Sequence, residues 1–373
     1  MPNKHYRVMV VDDSALMCEM ISDLINGHPQ LEVVGCASDG KQALEKLDEF
    51  NPDVITLDVQ MPRMDGLQTL DGILERRPVP TIMVSALTQR AADVTLDSLQ
   101  RGAMDYVAKP ESVRDATGNW GNELLQKILN IAGADVQRIL RIRKSKQARQ
   151  AESSKTKSIA AAPVSQTPAA YLDCCIALGI STGGPPALSH TFESLQTPLP
   201  PLVVVQHMPA QFTGPFAQRL NLNSRLNVKE AATGDVLQPN HAYVAPGGKH
   251  LSMRRSGGKV TLVVKDGDPV SGHKPSVDVM MRSAVECYRS RVLGIIMTGM
   301  GHDGSEGCGA IRKAGGYTLG QDEATSDVYG MNKVAFVSGN IDKQFPLDSL
   351  PGLILTQCRR QFTAAGRLET ANR

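Results

Sequence analysis

Five side chains in the first third of the chain could together handle a phosphoryl group: Asp12, Asp13, Asp58, Ser85 and Lys109. Each stands where a short apolar run gives way to polar residues. Carboxylates brought together repel one another unless a cation holds them, and an all-oxygen ligand set suits Mg2+. Asp58 then fits the role of nucleophile in phosphoryl transfer. The metal and Lys109 would neutralise the phosphoryl oxygens, and Ser85 would donate a hydrogen bond to one of them. Singly, each of these residues reads better as a turn or helix cap. Their recurrence at successive strand ends is what favours a site.

A second constellation needs three residues far apart in sequence. Ser181 lies in Gly179-Ile180-Ser181-Thr182-Gly183-Gly184-Pro185, directly after an apolar run, and its small neighbours permit a tight strand-to-helix turn. Such a turn exposes the hydroxyl beside free helix N–H groups, which can stabilise an oxyanion. A phosphate loop or a plain turn fits this motif nearly as well. A nucleophilic serine also needs a base, and the base needs an orienting acid. Of the six histidines after residue 170, only His207 closely follows an apolar strand, with His273 and His302 as rivals in polar loops. Asp303 follows a third strand-like run, while Asp278, Asp322 and Asp327 follow none that convinces. The chain order Ser, His, Asp and the lack of GxSxG set this apart from the α/β-hydrolase pattern.

The elements that must carry these residues alternate as β and α. Runs at Tyr6–Val11, Leu31–Ala37, Val54–Leu57, Thr81–Val84 and Asp105–Val107 are separated by amphipathic stretches, which predicts a parallel sheet covered on both faces. Residues 119–143 predict a helix that Gly133 interrupts. From Arg138 to Gln150 the chain is basic, and residues 151–170 are rich in Ala, Ser, Thr, Lys and Pro, which predicts a mobile linker. Alternation resumes after Tyr171 with buried-type runs at Cys174–Ile180, Leu202–Val205 and Val292–Met297. Short runs and Gly/Pro/Asn turns over 228–264 predict an antiparallel excursion. The fold class expected is α/β, with two doubly wound parallel-sheet domains whose site residues share the C-terminal strand edge.

Two sets of motifs resemble known families. Val10-Val11-Asp12-Asp13-Ser14, Asp58 through Gly66, Val84-Ser85-Ala86 and Ala108-Lys109-Pro110 are similar to a flavodoxin-like response-regulator receiver. That resemblance implies phosphorylation of Asp58 by a histidine kinase, with Mg2+ held by Asp13, Asp58 and the Gln60 carbonyl. It also implies Asp12 acting behind them, and Ser85 and Tyr106 reorienting on phosphorylation. Gly179–Gly184, Gln206-His207-Met208-Pro209, Ala245-Pro246-Gly247-Gly248, His273 through Asp278 and Met297–Gly304 resemble the chemotaxis protein-glutamate methylesterases, the CheB family. Carried over, Ser181 is the nucleophile, His207 the base and acid, and Asp303 the orienting group. The substrates implied are methyl-accepting chemotaxis receptors, by demethylation or deamidation, with no cofactor for that step. Thr182 and Met300 are the expected oxyanion donors. Ile180 stands where Ala is common, and His302 fills a variable slot. The domains expected are a receiver at 5–126, a helical extension and linker at 127–170, and a methylesterase domain at 171–362.

Composition agrees with two such domains: 373 residues, 41% hydrophobic, 21% charged and a net charge of +2. Nothing global points to nucleic acid or a membrane surface. Seven cysteines without a CxxC pair, and no signal-like N-terminus, predict a reduced cytoplasmic protein without membrane insertion. A DNA-binding regulator would need a basic helical output domain, which this Gly-rich half is not. A non-catalytic adaptor would have no use for an intact Ser181, His207 and Asp303.

Overall fold

The computed structural model describes residues 5–362 apart from 87, 111–118, 135, 138–139 and 141–166. The chain divides into two compact units, Met1–Thr156 and Lys157–Arg373. The predicted linker and basic run lie largely outside the described residues.

The first unit is a five-stranded parallel sheet of β1 (Tyr6–Val11), β2 (Leu31–Ala37), β3 (Val54–Asp58), β4 (Thr81–Ser85) and β5 (Asp105–Ala108). The strand order is β2-β1-β3-β4-β5. β3 and β4 are buried at every residue, the mark of a sheet covered on both faces. Helices Ala15–Asn26, Gly40–Phe50, Gly66–Arg76 and Gln89–Arg101 begin at Ser14, Asp39, Asp65 and Thr88, whose side chains each accept a first-turn N–H. Helix Asn119–Ile131 stops before Gly133, whose φ is +84°. The domain boundary expected at 126 falls inside this helix. Its later turns bring Ile128 and Ile131 into one core with Val8, Val10 and Val107, and Val136 joins them.

The second unit adds β6 (Cys175–Ile180), β7 (Leu202–Gln206), β8 (Asn227–Glu230), β9 (His241–Val244), β10 (His250–Ser256), β11 (Lys259–Lys265), β12 (Val292–Ile296), β13 (Tyr317–Gln321) and β14 (Lys343–Phe345). Seven strands form a parallel sheet in the order β14-β13-β12-β6-β7-β9-β8, and β10 pairs with β11 alone. The antiparallel excursion is therefore shorter than expected. β8 and β9 extend the main sheet in parallel, and only β10–β11 is a hairpin. Gly257 and Gly258 close it, both at positive φ, as a two-residue turn of primed type requires. β8 looked antiparallel because it is an edge strand whose residues alternate in burial. The chain runs outward one way from β6 and the other way from β12, so these neighbours flank the switch point where open α/β sheets bind ligands. Val203, Val205, Ile296, Met281 and Ile311 sit in the core under that edge. Each apolar side chain buried there is worth roughly 1.5–3 kcal/mol. Among the described residues no helix is long and apolar enough to cross a membrane.

Candidate active site

In the first unit, β1 and β3 deliver their acids to one place. The ligand atoms of Asp12, Asp13 and Asp58 all lie within 4.8 Å of one another. Lys109 Nζ is 2.8 Å from both Asp12 Oδ2 and Asp58 Oδ2. Burial pushes the Asp58 carboxyl up, Asp12 adds to this, and Lys109 pulls against it. Lys109 loses solvation too, but the two carboxylates outweigh that and hold its pKa above the ordinary value. Three acids against one lysine leave an excess of negative charge among oxygen donors, so the residues fit a small divalent cation. Gln60 is tied in through its N–H, which donates to Asp58 Oδ1 at 3.2 Å. Gly66 lies so close to the Asp58 carbonyl that a Cβ would overlap it. Ser85 Oγ is 2.9 Å from Thr95 Oγ1, a partner on the next helix that the sequence did not reveal. Tyr106 is buried, with Lys127 Nζ 5.1 Å from its ring centre.

In the second unit, three neighbouring strands carry the second constellation. The Ile180–Gln206 pairing of β6 with β7 sets Ser181 beside His207, whose N–H donates to the Ile180 carbonyl at 3.1 Å. Ser181 N–H donates to the Thr298 carbonyl, just past β12, at 3.0 Å. Thr298 Oγ1 lies 2.9 Å from the Thr182 carbonyl. At Gly299 a Cβ would sit 2.6 Å from Ser181 Cβ, so only glycine lets this loop reach the serine. Met300 follows on that loop, and Thr182 follows Ser181 at the turn into helix Gly184–Ser194.

His207 Nε2 and Asp303 Oδ2 are 2.9 Å apart. Asp303 is fully buried at the start of helix Val277–Tyr288. Its carboxylate also accepts from Val277 N–H at 2.7 Å, Asp278 N–H at 3.0 Å and Ser276 Oγ at 2.8 Å. Burial opposes its charge, but the His207 hydrogen bond and the helix N–H groups prevail and hold the carboxyl below its usual range. An ionised Asp303 places the imidazole proton on Nε2. His207 Nδ1 is left as a lone pair, buried and without a hydrogen-bond partner among the described residues. An imidazole held by a carboxylate, with its other nitrogen unpartnered, thus follows the strand beside the one that Ser181 follows.

Of the rivals, only His273 meets His207. His302 is exposed, and Asp322 caps the turn Glu323–Thr325. Asp327 packs where a Gly183 side chain would be. His250, buried, accepts from Ser276 N–H and contacts the Asp268 carbonyl. Asp278 does not face His207. Its side chain accepts from Gly307 N–H at 2.7 Å and Ser271 Oγ at 2.9 Å. Burial, with Asp303 nearby, pushes its carboxyl up. His273 stacks on His207 with ring centres 3.7 Å apart and planes 8° from parallel. His207, His273 and Asp303 place donor atoms within 4.8 Å. Parallel rings, however, direct their in-plane lone pairs side by side rather than toward one ion. Ser276 was not singled out as a partner of Asp303; its place before a helix was the available signal.

Residues 8–117 match the response regulator receiver domain, and residues 176–354 match CheB methylesterase. Fold and matches together define a response regulator with an α/β output domain. The Geobacter metallireducens protein-glutamate methylesterase/protein-glutamine glutaminase 1 is 41% identical over 97% of this chain and 99% of its own. The Pseudomonas aeruginosa protein-glutamate methylesterase/protein-glutamine glutaminase 2 is 41% identical over 95% of this chain and 97% of its own. The catalytic domain of Thermotoga maritima CheB methylesterase aligns at 36% identity over 49% of this chain and 97% of that one, with a TM-score of 0.48. The chain belongs to the CheB methylesterase family.

Proposed function

We propose that this protein hydrolyses glutamate γ-methyl esters on chemotaxis receptors, and deamidates receptor glutamines, under control of phosphorylation at Asp58 in the cytoplasm. The observation that carries the reading is the buried, unshared lone pair of His207 Nδ1, with Asp303 fixing the opposite nitrogen and Ser181 following the neighbouring strand in register with His207. Ser181 Oγ attacks the γ-carbonyl as its proton passes to Nδ1, giving a tetrahedral oxyanion. The backbone N–H groups of Thr182 and Met300 are the donors assigned to that oxyanion. The C–O bond to the methoxy group breaks as Nδ1 returns the proton, and methanol leaves. Water then attacks the acyl-serine by the same route and frees the carboxylate. With glutamine, ammonia leaves instead. Asp303 stays ionised and stabilises the imidazolium in each step.

In the receiver, Asp13, Asp58 and the Gln60 carbonyl would hold Mg2+, which supplies charge neutralisation to a phosphoryl group when bound. Asp58 Oδ accepts the phosphoryl group from a histidine kinase, Lys109 balances its charge, and Ser85 and Tyr106 reorient. Phosphorylation shifts a two-state equilibrium that opens the esterase edge. Methanol release from a methylated receptor tests both halves. A phosphodonor with Mg2+ is expected to raise the rate, and Ser181→Ala to abolish it. Equal rates with and without phosphodonor reject the gating, and an unchanged rate in Ser181→Ala rejects the nucleophile.

A further inference from the structure

His207 is not held by Asp303 alone. One face of its ring is covered by the parallel ring of His273, and a short run of bonds fixes that second ring. Its Nδ1 lies 2.9 Å from the Ser271 carbonyl. A carbonyl only accepts, so Nδ1 carries the proton. Val270 and His273 exchange both backbone hydrogen bonds, at 3.1 and 3.0 Å, around Ser271 and Gly272. Both central residues have positive φ, +53° and +80°, the geometry of a primed two-residue turn. Glycine occupies this region freely, whereas serine is strained in it and persists only where its surroundings hold it.

What holds Ser271 is its hydroxyl bond to the buried Asp278 carboxylate, which is itself fixed by Gly307 N–H. Asp278 also donates its backbone N–H to Asp303. One residue at a helix start thus anchors both the acid that orients the His207 edge and the turn that covers its face. Burial, with His207 next to it, lowers the His273 pKa to about 4. The covering ring therefore stays neutral while His207 gains a proton, and a neutral π face tolerates a neighbouring cation that a second imidazolium would repel.

We propose that His273 is a positioning residue for His207, its ring presented by the Val270–His273 turn so that the imidazole keeps one orientation throughout the proton transfers. This rests on the reading of Ser181 and His207 given above. His273 exchanges no proton with substrate.

The test measures methanol release from methylated receptor by the full-length protein, together with the NMR signals of the His207 ring. His273→Ala is expected to lower kcat about tenfold with KM little changed, the scale of one lost ring contact. His273→Phe, which restores a flat ring without nitrogens, is expected to recover most of that loss. In both parent and Ser181→Ala backgrounds, His273→Ala should remove the ring-current shift from the His207 protons. Parental kcat in a folded His273→Ala, or a His273→Phe as inactive as Ser181→Ala, overturns the proposal. Should His273→Ala not fold, His273→Phe decides by the same two measurements. A fully active Ser181→Ala would instead sink the nucleophile, and the NMR comparison would still report on the stack.

Discussion

At the scale of single residues, the proposed hydrolysis depends on the charge of Asp303. Its two oxygens take three donors from the start of helix Val277–Tyr288 and a fourth from His207. Asp303→Asn would turn an amide N–H toward either the helix or His207. Facing His207, it would drive the imidazole proton onto Nδ1 and remove the base. The expected outcome is a fall in kcat of about 10⁴-fold with the fold retained, read by methanol release and circular dichroism. The pH dependence follows from the sign of the shift. The folded pKa of Asp303 lies below that of an ordinary aspartate. Its contribution to stability is therefore fully present above the unfolded aspartate pKa of about 3.9 and is lost as pH falls through the folded pKa. The stability gap between parent and Asp303→Asn should thus be constant near neutrality and close in acid. A gap unchanged down to pH ~2 would mean that the carboxylate is not preferentially ionised in the folded protein.

Elements decide which of these residues meet. Ser181, His207 and Asp303 were legible in the sequence because each closely follows a buried apolar run, and parallel strands put such positions on one edge. β13 and β14 were not, since a five-residue strand containing Thr318 and Gly320 and a three-residue edge strand carry little apolar signal. Nor was the His207–His273 stack, which depends on a turn reaching back from beyond the β10–β11 hairpin. No periodicity records a contact between rings 66 residues apart (273 − 207). Loop geometry at the site is just as local. Gly299 allows the loop after β12 to lie against Ser181, and Gly299→Ala would force a Cβ to within 2.6 Å of the serine Cβ. Moving either loop by about 1 Å would misalign the proposed nucleophile, a displacement that can cost about 10²-fold in rate. Gly299→Ala is therefore expected to lose about that much kcat and roughly 1–3 kcal/mol of stability. Activity assay and denaturant titration check the pair, and parental kcat would show that the loop relaxes away harmlessly.

On the scale of the whole molecule, each unit owns a core: Val8, Val10, Ile128 and Ile131 in the first, Val205, Met281 and Ile296 in the second. The proposed hydrolytic residues all lie after residue 156, and the proposed phosphoacceptor lies before it. The proposed chemistry and the proposed control thus lie in separately packed bodies, and on that reading the receiver restrains the esterase rather than supplying a missing catalytic group. A chain of residues 157–373 should therefore hydrolyse methylated receptor without any phosphodonor. Its rate should exceed that of the unphosphorylated full-length protein and be indifferent to the phosphodonor that stimulates the latter. Asp58→Ala in the full chain should stay at the unstimulated rate. If the fragment instead folds, as judged by a cooperative thermal transition, yet works no faster than the unphosphorylated parent, the receiver is not a restraint. Phosphorylation would then have to act by drawing the enzyme to its substrate, which would appear as a fall in KM at constant kcat.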